Sequence, residues 1–552
     1  MADRVRYWPA ALAALAALSL LTGLPAVPGH VLAAAHRGLV LELPLLLALL
    51  ALLHVRPGPR IVWAVALGCW LVLLLRLADM AALMTAGRRF EPAFDPALIP
   101  ALWEVAATGP GTVMLGLGLL AGTGGLLLLC RWLSGLLLRP LQENRGRAGT
   151  LVLGIACLLA AMAGPGWLLQ PPDRGPAGAI IEQADRWREA ARMQARMAAD
   201  LAQDPSSGIA DADLFALLRG RPVILAWVES YGLSALTDPR QADIVGARLA
   251  ALDGMLTDAG FHRRSGLVDS PVIGGRSWLA HGTLRAGIRQ DQPLAQRLVL
   301  DAGRCGLSCA LNRAGWRTLA AMPGLSMPWL EGPAWGFEQV MDRAAFPYAG
   351  PAFGWSPLPD QALLATLTPE RLLPAAGPAA GPAAEDERPL YLEIVLTSSH
   401  APWTPLPPWL DGSDGAADGT AFSHADLRPD YTDMAGGYAR SLDYSLRALG
   451  DWLVGQAPPG ALILILGDHP ALDWISAGQG HRVPLHILSR DADLLRRLDG
   501  LDLADGMVPS PTAAALPMWD IYPQLLSRFS TQPLQRRTIH ADMRGQPGRG
   551  MP

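Results

Sequence analysis

The sequence predicts two architectures in one chain: five apolar helices over residues 1–170, and an exported α/β domain with a mainly parallel central sheet over residues 220–530. Three observations predict this. Apolar residues concentrate in the first 170 positions, in stretches near the ~20 residues that cross ~30 Å of hydrocarbon. Further on, short continuous apolar runs bounded by polar turns recur, the pattern of strands buried on both faces. Helix-length stretches separate those runs, as a parallel sheet requires of its crossovers.

Composition agrees. Of 552 residues, 51% are hydrophobic and only 17% charged, against about 25% charged in a soluble chain. So much apolar side chain excludes global disorder. A net charge of −4 argues against a nucleic-acid partner. All 45 basic residues are arginine, which excludes lysine Schiff-base chemistry.

The five expected spans are 8–26, 38–54, 61–84, 111–130 and 149–169, the second being the shortest. With a cytoplasmic N-terminus, the inner side carries Arg4, Arg6, Arg56, Arg60, Arg131, Arg139, Arg145 and Arg147, and the outer loops Arg37, Arg88 and Arg89. This asymmetry fits the positive-inside rule and places everything after residue 170 outside the cytoplasm. The expected location is the cytoplasmic (inner) membrane, with the large domain periplasmic or extracellular. Arg76 and Asp79, three apart, are expected to pair on one helix face.

Residues 171–219 read as a juxtamembrane helix (178–203) and linker, the helix broken by Pro-Ser-Ser-Gly at 205–208. Expected strands cover 222–228, 390–396, 461–466 and 483–488. Residues 375–387 and 411–420 read as loops, and 531–552 as a loose tail. Cys305 and Cys309 face the oxidising side in this topology; a disulfide and two buried thiols both suit them. Zinc does not, because no second ligand pair lies nearby.

Metal-type ligands follow the apolar runs at once. The first run ends in Glu229, the second in Thr397-Ser398-Ser399-His400, the third in Gly467-Asp468-His469, and His481 precedes the fourth. Ligands in open α/β sheets bind outside the carboxyl ends of the strands. With Ser277 of Gly-Gly-Arg-Ser, the Glu, Asp and His make a shell suited to zinc or manganese, and a divalent cation is what makes a serine alkoxide available near neutral pH. Each residue also has a plainer reading: Glu229 as a helix cap, His400 and His481 as loop side chains, His281 as a helix-face histidine.

The runs VESYG, GGRSWLAHGTLRAG, LTSSHAPW and LGDHP, in this order, resemble the alkaline-phosphatase/sulfatase superfamily. Within it the chain looks like the membrane-anchored phospho-alcohol transferases, namely lipoteichoic acid synthase and the lipid A phosphoethanolamine transferases. The resemblance covers 220–525 by motif and 1–170 by layout. It implies Ser277 as nucleophile, with Thr283 as rival, and Glu229, Ser277, Asp468 and His469 as ligands of one divalent ion (zinc or manganese), a second ion being left open. It implies His400 and His481 at the phosphoryl group, and Arg276 and Trp329 as further substrate contacts. The donor would be a membrane phospholipid and the acceptor a glycan or lipid of the cell envelope.

Two departures matter. A sulfatase places Pro two and Arg four positions after its modified nucleophile; here Leu279 and His281 stand there. Lipoteichoic acid synthases carry Trp-x-Arg in the next segment, whereas this chain keeps Trp329 but has Glu331, which puts a phosphoglycerol donor in doubt. Trp278, Trp335, Trp355 and Trp403 suit either a groove or a core. A phosphodiesterase or sulfatase-like hydrolase using water as acceptor shares the first half-reaction. A non-catalytic envelope scaffold is the reading from a different class, and lost metal ligands would mark it; the ligands are present.

Overall fold

A computed structural model describes residues 7–24, 39–86, 90, 112–163, 169–170, 176–368 and 387–532. Arg4, Arg6, Arg37, Arg88, Arg89, most of the 375–387 loop and the tail beyond 532 lie outside the described residues. The chain divides into two compact units, Met1–Met193 and Gln194–Pro552.

The first unit has helices α1 (Tyr7–Thr22), α2 (Glu42–Leu52), α3 (Pro59–Ala86), α4 (Thr112–Leu137) and α5 (Asn144–Ala163), one in each expected stretch. By length and composition α3 and α4 are able to cross a membrane. Helix α2, at 11 residues, rises about 16 Å and is too short to cross alone. Leu15, Leu18, Leu43, Leu47, Leu133 and Leu137 share one buried cluster. Gly154 of α5 lets α2 come close, since a Cβ there would lie 2.4 Å from Ala48 Cβ; small residues permit such approach where helices meet in lipid. The outer faces stay apolar, with Leu71, Leu120, Leu128, Val152 and Leu159 exposed. Asp79 accepts the Phe90 N–H (3.0 Å) and lies 3.8 Å from Arg186 of helix α6 (Pro176–Leu201), partners beyond the Arg76 that the spacing suggests.

The second unit is built on a nine-stranded sheet. Its strands are β1 (Val223–Val228), β2 (His262–Asp269), β3 (Arg317–Ala321), β4 (Gln339–Met341), β5 (Leu390–Leu396), β6 (Leu462–Gly467), β7 (Arg482–Ser489), β8 (Ala504–Asp505) and β9 (Ala515–Pro517). Their order is β8-β2-β7-β6-β1-β5-β3-β4, with β9 parallel to β2. Strands β6, β1, β5, β3 and β4 are mutually parallel, while β7 runs antiparallel to both neighbours. The sheet is therefore mixed rather than uniformly parallel. The reversal of β7 follows from its connection: residues 468–481 hold only a one-turn helix and stay at one edge of the sheet, whereas a parallel return needs a crossover to the other edge.

Strands β1 and β6 are buried at every position. Ile224, Ala226 and Val228 pack into a core shared with Val245, Leu249 and Leu252 of α7 (Ala242–Asp258) and Leu446, Leu449 and Leu453 of α9 (Met434–Gln456). Each valine, leucine or isoleucine among them contributes about 1.5–3 kcal/mol of burial. Trp227 points to the opposite layer, where it stacks on His281 of α8 (Ser277–Ala286) at 4.3 Å. The result is helix, sheet and helix in three layers.

Candidate metal and nucleophile site

In the β1–β5 and β1–β6 ladders, Val228 pairs with Leu396 and with Gly467. Glu229, Thr397 and Asp468 therefore leave the sheet at one level. Gly467 is required there, since a Cβ would stand 2.0 Å from the Tyr231 carbonyl oxygen. The loop after β2 returns to the same edge and ends at Arg276, whose φ of +63° is left-handed. That conformation is costly for a residue with a Cβ. It turns the chain sharply into α8, so that Ser277 opens the helix and meets the strand ends.

Four predicted residues converge. The Ser277 hydroxyl lies 2.9 Å from Glu229 Oε2 and 3.1 Å from His469 Nε2. Glu229 and His469 are 3.3 Å apart, and His469 Nε2 is 3.9 Å from Asp468 Oδ2. Glu229, Asp468 and His469 are all buried, with one ligand atom of each within 4.8 Å of the others.

Their surroundings aim them. His469 Nδ1 lies 2.9 Å from the Pro470 carbonyl, which accepts the Nδ1 proton and leaves the Nε2 lone pair facing the cluster when the ring is neutral. Asp468 Oδ1 accepts the backbone N–H groups of Ser230 (2.8 Å) and His469 (2.7 Å). Asp468 Oδ2 is buried with no hydrogen-bond donor among the described residues. A buried carboxylate oxygen without a donor is expensive, and a cation at the centre of this donor set would satisfy it. The residues thus fit a divalent ion with mixed oxygen and nitrogen ligands.

The electrostatics show the same crowding. Burial, then the Glu229 charge, pushes Asp468 up to about 8. Burial works against a charged His469 ring, but the Asp468 and Glu229 carboxylates outweigh it and hold the ring up at about 9. Burial alone would raise Glu229; the charge and hydrogen bond of His469, with a further contribution from His400, hold it well below the usual carboxylate range.

The other predicted residues are more scattered. His400 stacks on Trp355 (ring centroids 4.0 Å apart), with Nδ1 2.6 Å from the Ala401 carbonyl. His481 is exposed at the start of β7, its Nδ1 2.9 Å from the Ser270 carbonyl. Ser270 in turn donates to the Asp468 carbonyl (2.6 Å), so His481 is linked to the cluster through one residue. Arg276 is exposed. Thr283 is buried farther along α8, where it accepts the Gln290 N–H at 2.9 Å. Trp329 lies over the Arg285 guanidinium (5.2 Å), near Phe337. Trp335 and Trp403 are core residues, whereas Trp278 and Trp355 are exposed. His281 is buried, and burial followed by the Arg285 charge holds its ring well below the ordinary value.

Sequence reasoning missed the supporting hydroxyls. Ser230, at φ +59°, donates to Glu229 Oε1 (3.0 Å), and Ser399 donates to the Glu229 carbonyl (2.7 Å). Tyr438 donates to the Ser230 carbonyl (2.7 Å). The sequence signal of Ser230 and Ser399 is adjacency to a strand end, and Tyr438, inside α9, has none. Cys305 and Cys309 form a disulfide at the start of the helix Leu307–Arg313.

No protein-family profile and no curated protein matches this chain. Among solved structures it is similar to the lipoteichoic acid synthase LtaP from Listeria monocytogenes, at 15% identity over 50% of this chain and 66% of that one, with a TM-score of 0.35. It is similar to an alkaline phosphatase superfamily protein from Vibrio parahaemolyticus, at 14% identity over 56% and 66%, TM-score 0.33. A third is the C-terminal periplasmic domain of the phosphoethanolamine transferase EptC from Campylobacter jejuni, at 12% identity over 56% and 89%, TM-score 0.33. This chain spans slightly less than two thirds of the first two.

Proposed function

We propose that this protein is a metal-dependent transferase of the cytoplasmic membrane that moves a phospho-alcohol headgroup, of phosphoethanolamine or phosphoglycerol type, from a phospholipid to an acceptor in the cell envelope. The reading rests on one observation: the Ser277 hydroxyl lies between Glu229 and His469, beside an Asp468 oxygen that lacks a donor. The motif order supports the phospho-alcohol class. Helices α3 and α4, long and apolar enough to span a bilayer, support a membrane anchor, which raises the local concentration of lipid donors.

Glu229, Asp468, His469 and Ser277 would hold the cation. When bound, it supplies Lewis-acid stabilisation of the Ser277 alkoxide and of charge on the phosphoryl group. The chain's own residues do the rest. Ser277 directs its hydrogen at Glu229 Oε2, which leaves oxygen lone pairs free for phosphorus. As the Ser277 proton leaves to water, a bond forms between Ser277 Oγ and phosphorus, the ester bond to diacylglycerol breaks, and His400 or His481 protonates the departing oxygen. No side-chain oxygen caps the first turn of α8 and the Leu279 N–H is taken by the Arg276 carbonyl (2.9 Å), so the Ser277 and Trp278 N–H groups are the ones offered to an anionic phosphoryl group. An acceptor hydroxyl then displaces Ser277 and takes the phospho-alcohol.

The test uses the zinc-loaded full chain in detergent with a fluorescent phospholipid. Diacylglycerol release and a phospho-alcohol adduct on the Ser277 peptide, read by mass spectrometry, are expected. The mass of the adduct identifies the donor headgroup. Free headgroup phosphate as the sole end product, with an envelope acceptor present, would assign hydrolysis. Undiminished metal-dependent turnover in Ser277→Ala would overturn the mechanism.

A further inference from the structure

The turn after β5 serves the site twice: it carries His400, and through Ser399 it grips the Glu229 carbonyl. Beneath this turn stands Asp360, fully buried at the start of the helix Asp360–Thr366. Its Oδ1 accepts the backbone N–H groups of Thr397 (2.8 Å) and Ser398 (3.1 Å). Its Oδ2 accepts the hydroxyl of Ser445 (2.6 Å), from the middle of α9. In return, the Ser398 hydroxyl accepts the Asp360 N–H (2.9 Å). Four hydrogen bonds thus tie one carboxylate residue to the turn and to the helix behind it.

The same segment grips the turn at its far end. Trp355 stacks on His400, and the Ser356 hydroxyl lies 2.7 Å from Thr397 Oγ1. The stretch 355–360 therefore holds Thr397, Ser398 and His400. Two adjacent N–H groups converging on one oxygen fix the direction in which the chain leaves β5, and an apolar residue at position 360 would leave both buried and unpaired.

We propose that Asp360 is a positioning residue for the reaction at Ser277: by fixing the turn 397–400 it holds His400 in its stack on Trp355 and, through Ser399, holds the Glu229 backbone that sets the Ser277 partner. This rests on the roles given above to His400 and Glu229.

The test takes the zinc-loaded full chain in detergent, with turnover of a fluorescent phospholipid as one readout and backbone hydrogen exchange as the other. Asp360→Ala is expected to lower kcat by roughly 10- to 100-fold, the range for groups that orient metal ligands, with KM little changed. Asp360→Asn keeps the Oδ1 acceptor and is expected to recover most of that loss. In a His400→Ala background, Asp360→Ala should cost much less than in the wild-type background, which a general loss of stability would not produce. Exchange at the Thr397 and Ser398 amides should accelerate in Asp360→Ala while the β1 amides stay protected. If Asp360→Ala does not fold, Ser445→Ala is taken through the same cycle, with a smaller but equally non-additive loss expected. Unchanged exchange at 397–398, or an equal fold-loss in both backgrounds, overturns the proposal. Inactivity of the wild-type protein, with the exchange result as expected, overturns the reaction assigned above and leaves the hold of Asp360 on the turn established.

Discussion

The Ser277 hydroxyl and the His469 imidazole nitrogen lie 3.1 Å apart, although 192 residues separate them in sequence. One stands at the start of a helix after β2 and the other just beyond the end of β6. The sheet brings them to the same edge, and Glu229 of β1 completes the contact.

Removing one ligand should remove the cation. Asp468→Asn keeps an Oδ1 acceptor for the Ser230 and His469 N–H groups, so the backbone should hold. It replaces the oxygen that has no donor. Zinc affinity is expected to fall by more than about 100-fold, beyond the ~10–100-fold cost of losing a supporting residue. A competition titration with a chromophoric chelator measures this, and affinity within threefold of wild type would contradict the assignment.

Cation binding should release protons. Without a cation, Asp468 at about 8 and His469 at about 9 are both largely protonated at pH 7. A ligating carboxylate and imidazole must give those protons up. Affinity should therefore rise with pH through 7 and 8 and level off above about 9. Calorimetry in buffers of different ionisation enthalpy counts the protons; a count near zero at pH 7 would refute the coupling.

A buried ion pair beneath α8 should be costly to break from one side. Arg285 donates to both oxygens of Glu393, which also accepts from Trp227 Nε1 (2.8 Å) and the Tyr391 hydroxyl (3.1 Å). Arg285→Met leaves the carboxylate without a counter-charge and should destabilise the protein by about 3–5 kcal/mol. Adding Glu393→Met to that variant should recover much of the loss. Denaturant titration followed by circular dichroism reads both; equal losses in the single and double variants would remove the pair from this role.

His486 should give stability an acid limb. Burial holds its ring down at about 3, with Ser265 and Tyr231 as hydrogen-bond partners. The unfolded ring has a pKa near 6.5 and takes up a proton first as pH falls. The contribution of His486 is therefore complete above about 6.5. It is lost at up to ~1.4 kcal/mol per pH unit between there and about 3. His486→Asn should flatten the stability–pH slope in this window by one proton, and an unchanged slope would contradict the buried neutral ring.

The convergence of Glu229, Asp468 and His469 was legible because each follows an apolar run directly, and a strand end is a fixed place in space. Ser277 was legible from its glycine-flanked turn and the helix after it. The reversal of β7 was not, because VPLHIL reads alike in either direction and only the path of 468–481 decides it. Nor was the sorting of the tryptophans: Trp335 and Trp403 are buried while Trp278 and Trp355 are exposed, and nothing local distinguishes them. Asp360, in PLPDQALLA, has the appearance of an ordinary helix start. Its role depends on Thr397, Ser398 and Ser445, distant in sequence.

The pairing of Val228 with both Leu396 and Gly467 has an evolutionary corollary. The cluster of Glu229 and Asp468 takes its dimensions from ladder hydrogen bonds in the sheet, whose spacing is the same in any protein. The loop segments 323–335 and 401–433 share none of those bonds. Descendants of this scaffold are therefore free to lengthen, trim or exchange these segments and acquire new donors and acceptors, while the chemistry at the strand tips passes on unaltered.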